Sequence, residues 1–314
     1  MKIDLDIIIP CYNSKKTIFY TLSSIATQQA VYGFKVYLIN DNSSYDYQDE
    51  VNYFSKFFKI EEIKLDKNIG PGGARREGIN KSTSKYIMFI DSDDILYNCL
   101  SIYKLYNTVQ GYDLCISNFI LERDNTKTIK KQNGIWLHGK IYSREFLNKH
   151  NITFNNSYSN EDNGFNRLVL LMNPNIIFLD EITYVYRDNK NSITRKNNRE
   201  FKITGLKGFV YNMIWAMEEA LKRDKTLNIK PILINSVLIN MYYEYLYYSD
   251  NRILEYSKKL IPYYSKISKK ELNELLDKKE QEYIEDNKVI NKTISFTDFI
   301  KKVEQYDWCN NTMF

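Results

Sequence analysis

Asp91, Asp93 and Asp94 place three carboxylates within four positions, directly after the apolar run Tyr86-Ile87-Met88-Phe89-Ile90. A short unbroken apolar run reads as a strand buried on both faces, as in a parallel sheet. Acids gathered at the end of such a strand are costly to keep charged unless something cationic faces them. Open α/β sheets bind their ligands at the carboxyl ends of their strands. The stretch therefore reads as a buried strand that delivers a carboxylate cluster to a site. The competing reading is a helix N-cap, where the helix dipole favours acids. Other polar clusters are Asn40-Asp41-Asn42-Ser43-Ser44, a Gly-rich stretch carrying Arg75 and Arg76, and the pair Glu161-Asp162. The last of these has its own plain alternative, the solvated start of a helix at about residues 164–172.

Each cluster needs an element to position it. Residues 5–10 form a β-branched run ended by Pro10, which predicts a strand with a stop. Asn13 or Ser14 can then cap a helix over residues 16–29, with Ile18, Leu22, Ile25 and Ala26 at helical spacing. Residues 34–40 predict a second buried strand, residues 47–58 a helix, and residues 60–65 an alternating outer strand. Residues 68–79 predict a Gly-rich loop running into a helix, ahead of the strand that opens on Asp91. Strand and helix alternate, and two early strands end in polar clusters, as in a doubly wound, largely parallel sheet. After residue 96 the alternation weakens. Strands are expected at 112–121 and 176–186, a hairpin or loop at 126–133, a helix near 143–149, and a polar loop at 187–198. From about residue 199 the pattern is helical, so two domains are expected, 1–198 and 199–314.

The balance of 44 basic against 39 acidic residues gives a net charge of +5. That suits an anionic partner without forming the dense basic surface of a dedicated nucleic-acid binder. The four cysteines form no CxxC, and neither His138 nor His150 stands near one at ligand spacing, so a structural zinc site is not expected. The N-terminal apolar run is too short for a signal peptide, and no apolar stretch reaches the ~18 residues of a membrane span. The chain reads as cytoplasmic, with free thiols.

Taken in order, the motifs resemble those of the family-2 glycosyltransferases, which have the GT-A fold. The resemblance covers about residues 3–195. It rests on the opening strand LDIIIPCYNS, on LINDNSS, on NIGPGGARREGI, on YIMFIDSDD with its DXD, on GKIYSREFL followed by NEDNGF, and on YVYRDNKNSIT. It implies a Rossmann-like, mostly parallel sheet flanked by helices, with a nucleotide-binding half at about 1–96, an acceptor half at about 97–198 and a helical C-terminal extension. The donor would be a nucleoside-diphosphate sugar, with UDP favoured. Its diphosphate leaves with high negative charge, which a divalent cation offsets, and hard oxygen ligands suit Mn2+ or Mg2+. The resemblance makes Asp93 the metal ligand with Asp91 beside it. Asp91 would also face the ribose, and Asp94 would support the cluster or face the donor sugar. Asp41 would accept from the base, with Asn40 standing where many relatives carry an acid. Pro10, Tyr12 and Asn13 would line the nucleotide pocket, Arg75 would hold the sugar or phosphate end, and Arg187 and Ser192 would close over the diphosphate. Asp162, with Glu161 beside it, would be the base of an inverting displacement. Two adjacent acids push one pKa upward, which helps a base near neutral pH. His138 reads as structural or acceptor-side, not as a metal ligand.

Two rivals stand beside this reading. A nucleotidyltransferase-type nucleotide-sugar enzyme would use similar strand-end acids and release pyrophosphate. A non-catalytic nucleotide- or glycan-binding module would bind without turnover. The acceptor classes that remain open are a glycan, a lipid-linked sugar, a protein and a nucleic acid. Tyr242, Tyr243, Tyr245, Tyr247 and Tyr248 read first as helix-packing residues, with peripheral membrane contact or homodimerisation through the C-terminal helices as further readings.

Overall fold

The computed structural model describes residues 2, 4–29, 31–157, 159–189 and 198–306. Two compact units divide the chain, Met1–Arg195 and Lys196–Phe314.

In the first unit, β1 (Leu5–Cys11), α1 (Ile18–Ala26), β2 (Lys35–Asn40), α2 (Gln48–Phe54), β3 (Lys59–Lys64), α3 (Gly70–Lys81) and β4 (Tyr86–Phe89) alternate. The strands stand in the order β3-β2-β1-β4, and every pair is parallel. All seven residues of β1 and all four of β4 are buried, as continuous apolar runs require. Asp6 is the exception within β1. It is buried but accepts from Ser82 Oγ (2.7 Å), from the amides of Thr83 (2.8 Å) and Ser84 (3.0 Å), and from Ser84 Oγ (2.9 Å). This fastens the end of the sheet remote from the acidic turn.

The chain continues through β5 (Ile95–Leu96), α4 (Ser101–Thr108), β6 (Leu114–Arg123), β7 (Thr126–Lys130), β8 (Lys140–Ser143), α5 (Arg144–Lys149), α6 (Glu161–Leu171) and β9 (Ile176–Tyr186). These strands extend the same sheet as β4-β8-β6-β9-β5, with β7 pairing β6. Here the pairing is mixed: β6 and β9 are parallel, whereas β4–β8, β6–β8, β6–β7 and β5–β9 are antiparallel.

Several local expectations are corrected. Pro10 does not stop β1; it pairs with Ile39 in the β2 register. The β4 pairing ends at Ile8, so the amide that proline lacks falls beyond that ladder. Neither Asn13 nor Ser14 caps α1, whose N-cap is Thr17, with no side-chain cap bond. The Gly70-Pro71-Gly72-Gly73 stretch is not a loop but the first turn of α3. Its glycines serve close packing. A Cβ on Gly72 would sit 2.7 Å from Glu161 Cγ, and one on Gly78 would sit 2.3 Å from Ile8 Cγ2. Gly78→Ala is expected to destabilise the domain by about 1–3 kcal/mol, the usual cost of overpacking. A urea titration of the variant against the parent measures it.

The second unit is helical: α7 (Arg199–Arg223), α8 (Pro231–Tyr248), α9 (Arg252–Lys258), α10 (Lys269–Glu285) and α11 (Phe296–Gln305). Tyr242 and Tyr243 are buried, with rings 5.5 Å from Phe299 and 5.4 Å from Tyr283 respectively. These two tyrosines are core residues. Among the described residues no helix is long and apolar enough to cross a membrane.

Candidate active site

β4 ends where Ile90 donates its amide to Ile8 O, and the chain then turns through Asp91, Ser92, Asp93 and Asp94. The three acids of this turn have different surroundings. Asp94 is fully buried. Its Oδ2 accepts from Tyr184 OH (2.7 Å), and its Oδ1 accepts from the Arg187 amide (2.9 Å). Its carbonyl also accepts from Thr21 Oγ1 of α1 (2.7 Å). Burial, followed by the neighbouring Asp91 and Asp93, holds its carboxyl well above the ordinary value. Both Asp94 oxygens thus accept hydrogen bonds from the protein.

Asp91 lies across from a cation. Arg75 Nη2 donates to its Oδ1 at 2.6 Å, and His138 Nε2 lies 3.8 Å from its Oδ2. Burial works to raise its pKa, but Arg75 and His138 outweigh that and hold it well below the carboxylate range. Asp93 has Asn189 as its one side-chain hydrogen-bond partner among the described residues, Nδ2 donating to Oδ2 at 2.8 Å. Burial and then Asp91 raise its pKa. Ser14 Oγ and Ser92 Oγ, 2.7 Å apart, tie the loop after β1 to this turn.

Arg75 reaches the turn from α3. Its other terminal nitrogen, Nη1, donates to Glu161 Oε1 at 2.7 Å, so one buried guanidinium joins the acidic turn to the start of α6. Arg75, expected at the sugar or phosphate end of the donor, here has each terminal nitrogen bonded to a protein carboxylate. The Gly72 contact explains how α3 approaches α6 closely enough for this. Glu161 and Asp162 are not a solvated loop ahead of a helix. They are the first residues of α6, and Glu161 is buried. Burial, then the adjacent Glu161, push the Asp162 pKa up to about 7, with Arg75 opposing the rise.

The loops after β1 and β2 are knitted together. Asn13 is left-handed (φ 52°), and its Oδ1 accepts from the amide and the hydroxyl of Ser44, both at 3.1 Å. Tyr12 beside it is exposed. Pro10 is buried within β1. Asn40 is buried, donating to Glu62 Oε1 (2.6 Å) and accepting from the Ser43 amide (2.8 Å), so here it braces the turn. Asp41 is buried too, its Oδ1 accepting from the Ile69 amide (2.7 Å) at the entrance to α3. The Arg187 guanidinium lies 5.3 Å from the ring centre of Tyr20. Ser192 lies outside the described residues.

Two further side chains near the turn, Tyr184 and Lys140, were not singled out by the sequence, and His138 was read only as structural or acceptor-side. Tyr184 joins two acids of the turn, donating to Asp94 and accepting from the Asp91 amide (3.2 Å). His138 lies beneath the turn, its Nε2 3.5 Å from Asp94 Oδ2. Lys140, fully buried in β8, donates Nζ to the carbonyls of Asn133 (2.6 Å) and Trp136, and burial lowers its pKa to about 7. The available signal was one of only two histidines in the chain, two residues ahead of a lysine inside a strand.

Solved structures share this architecture. The crystal structure of S. aureus TarS 1-349 in complex with UDP-GlcNAc is 17% identical, with a TM-score of 0.57 over 93% of this chain and 98% of that one. Mannosyltransferase PcManGT from Pyrobaculum calidifontis, in complex with GDP-Man and Mn2+, is 12% identical, with a TM-score of 0.56 over 97% and 85%. At these identities the likeness is one of fold, and the fold is that of the GT-A glycosyltransferases.

The particular family comes from sequence. The model of Glycosyl transferase family 2 matches residues 6–161, and this part of the chain is a glycosyltransferase domain of that family. Glycosyltransferase GlyA of Streptococcus pneumoniae is 24% identical over 223 residues, 61% of this chain and 31% of that protein. The matches span 13%, 31% and 27% of the first three curated relatives' own lengths.

Proposed function

We propose that the chain moves a sugar from a nucleoside-diphosphate sugar, UDP-linked, to an acceptor hydroxyl, inverting the anomeric carbon. The observation that carries this reading is the Arg75 bridge, which joins Asp91 of the acidic turn to Glu161 beside Asp162. A donor-side acid and the expected base pair thereby belong to one charged network. The UDP preference rests on Asp41 at the position the family uses for the base, and on the UDP-GlcNAc complex of the TarS fold neighbour.

Oxygen donors at the turn suit a hard divalent cation, and among the described residues Asp93 is the acid of the turn with the fewest protein partners. Asp93 would therefore hold Mn2+ or Mg2+, with Asp91 beside it. When bound, such an ion supplies positive charge against the departing diphosphate.

The chain's own residues do the rest. Asp162, as a carboxylate, takes the proton of the acceptor hydroxyl while that oxygen bonds to the anomeric carbon. The bond from that carbon to the diphosphate oxygen breaks, and its electron pair leaves with the nucleoside diphosphate. Arg75 holds Glu161 and Asp91 in place. Tyr12, Asn13 and Asp41 receive the nucleoside, and Arg187 lies toward the diphosphate.

A panel of UDP-, GDP- and TDP-sugars, assayed with and without Mn2+ for hydrolysis and for thermal stabilisation, tests the reading. Metal-dependent turnover of a UDP-sugar is expected, and silence across the panel would sink it. Asp93→Ala should remove that turnover while leaving the melting temperature near the parent's, because Asp93 has a single side-chain partner among the described residues.

A further inference from the structure

We infer that His138 is a positioning residue that braces the acidic turn from beneath, fixing Asp91 and Asp94 side by side so that Asp93 is presented to the donor's cation. The inference rests on the proposed donor site and adds a residue to it.

His138 is almost fully buried. Its Nε2 lies 3.5 Å from Asp94 Oδ2 and 3.8 Å from Asp91 Oδ2, between the two carboxyl groups. At these distances the contacts are electrostatic and not strong hydrogen bonds. The ring itself is held rigidly. It stacks on Tyr186 at 4.7 Å and 16°, and lies 5.0 Å from both Phe119 and Tyr184 and 5.8 Å from Trp136.

The backbone beneath it is built for this. Gly139 is left-handed (φ 66°), and a Cβ there would meet Ser117 Oγ at 2.5 Å. Asn166 of α6 donates to Ile135 O at 2.7 Å, and Lys140 ties down the carbonyls of Asn133 and Trp136. The loop carrying His138 is thus fastened to α6, whose first turn holds Glu161 and Asp162.

Asp91, Asp94 and His138 present ligand-type atoms within 4.8 Å of one another, which raises the alternative of direct metal ligation. Two observations argue against it. Both Asp94 oxygens already accept protein hydrogen bonds. A metal-bound histidine also almost always donates its second ring N–H to an acceptor, whereas Nδ1 of His138 is buried with no hydrogen-bond partner among the described residues. A ring with its proton on Nε2, pointing at the carboxylates, leaves a bare Nδ1 among aromatic rings and fits better. With Arg75 on Oδ1 and His138 toward Oδ2, Asp91 is oriented from both sides.

The test compares the parent with His138→Phe, which keeps an aromatic ring, and His138→Gln, which restores an N–H. UDP binding in the presence of Mn2+ is measured by calorimetry, and melting is followed in parallel. The Phe variant should melt near the parent and bind UDP with Mn2+ at least ~10-fold more weakly, as loss of a residue that orients metal ligands does. The Gln variant should recover most of that affinity. Native affinity in the Phe variant would overturn the inference. So would equal loss of affinity in both variants with melting intact, which would point to direct ligation by the ring. A drop in melting with unchanged affinity of the folded protein would reduce His138 to a packing residue. If the parent itself bound no UDP with Mn2+, the donor site would fall first, and this inference with it.

Discussion

Asp162→Asn is expected to leave donor binding intact and to lower transfer by about 100- to 10,000-fold, the usual contribution of a positioned general base. The amide is isosteric but cannot accept a proton from a hydroxyl. Asp162 opens α6 rather than the acidic turn, and Arg75, the nearest link to that turn, binds Glu161 and not Asp162. The nucleotide's contacts should therefore survive the change. Calorimetric titration of UDP with Mn2+, alongside turnover of the same protein, separates the two effects. Equal loss of binding and turnover would mean that Asp162 belongs to the donor pocket.

The same residue predicts two pH dependences. A base must be ionised to work, so turnover should rise with pH through about 7, where burial and Glu161 place the Asp162 pKa, and level off above it. The rise should vanish from the residual activity of the Asn variant. Stability runs the other way. In the folded state Asp162 holds its proton up to about 7, whereas an unfolded aspartate releases it near about 4. Its contribution to stability is therefore fully present below pH ~4 and is lost as the pH rises through the folded value. Melting the parent and the Asn variant across that window measures the loss, which the variant should not show.

Arg75→Met carries the second large effect. Removing the guanidinium leaves Asp91 and Glu161 buried or half-buried without their cation. Breaking such a buried pair by deleting one partner typically costs about 3–5 kcal/mol, and a urea titration reads it directly. The substitution should also raise the pKa of Asp91, since Arg75 is the largest of the influences holding it down. A stability loss under 1 kcal/mol, in the range of exposed ion pairs, would show that the bridge is a loose surface contact.

The parallel half of the sheet was legible because its strands carry near-continuous apolar runs and its turns carry their own chemistry. Tyr86 to Ile90 announces β4, and the acids follow without a gap. The outer strand β3 was legible from its alternation. Pro10 misled because its consequence depends on where the neighbouring β4 stops, a fact absent from the local sequence. The glycines of α3 misled for a related reason. They read as loop-formers, whereas Gly72 and Gly78 are needed for what approaches them, Glu161 and Ile8, both distant in the sequence. The motif order singled out Asp91, Asp93, Asp94, Arg75, Glu161 and Asp162, which the fold brings to the acidic turn and the start of α6, but it did not show which protein groups Arg75 and Asp94 bind. Charge and position gave no sign that the protein's own carboxylates, tyrosine and amides would occupy them. Tyr184 lies on β9, whose strand was expected, but its partners depend on the mixed pairing of β5, β6 and β9, and His138 lies just ahead of β8, which was not anticipated.

The most direct test of the central claim is time-resolved proton NMR of Mn2+-dependent hydrolysis of UDP-α-GlcNAc, a reaction in which water takes the acceptor's place. The account predicts UDP as the nucleotide product and the β-anomer of the sugar before mutarotation mixes the two forms. First appearance of the α-anomer would contradict the inverting displacement based on Asp162, and cleavage to UMP would contradict glycosyl transfer itself.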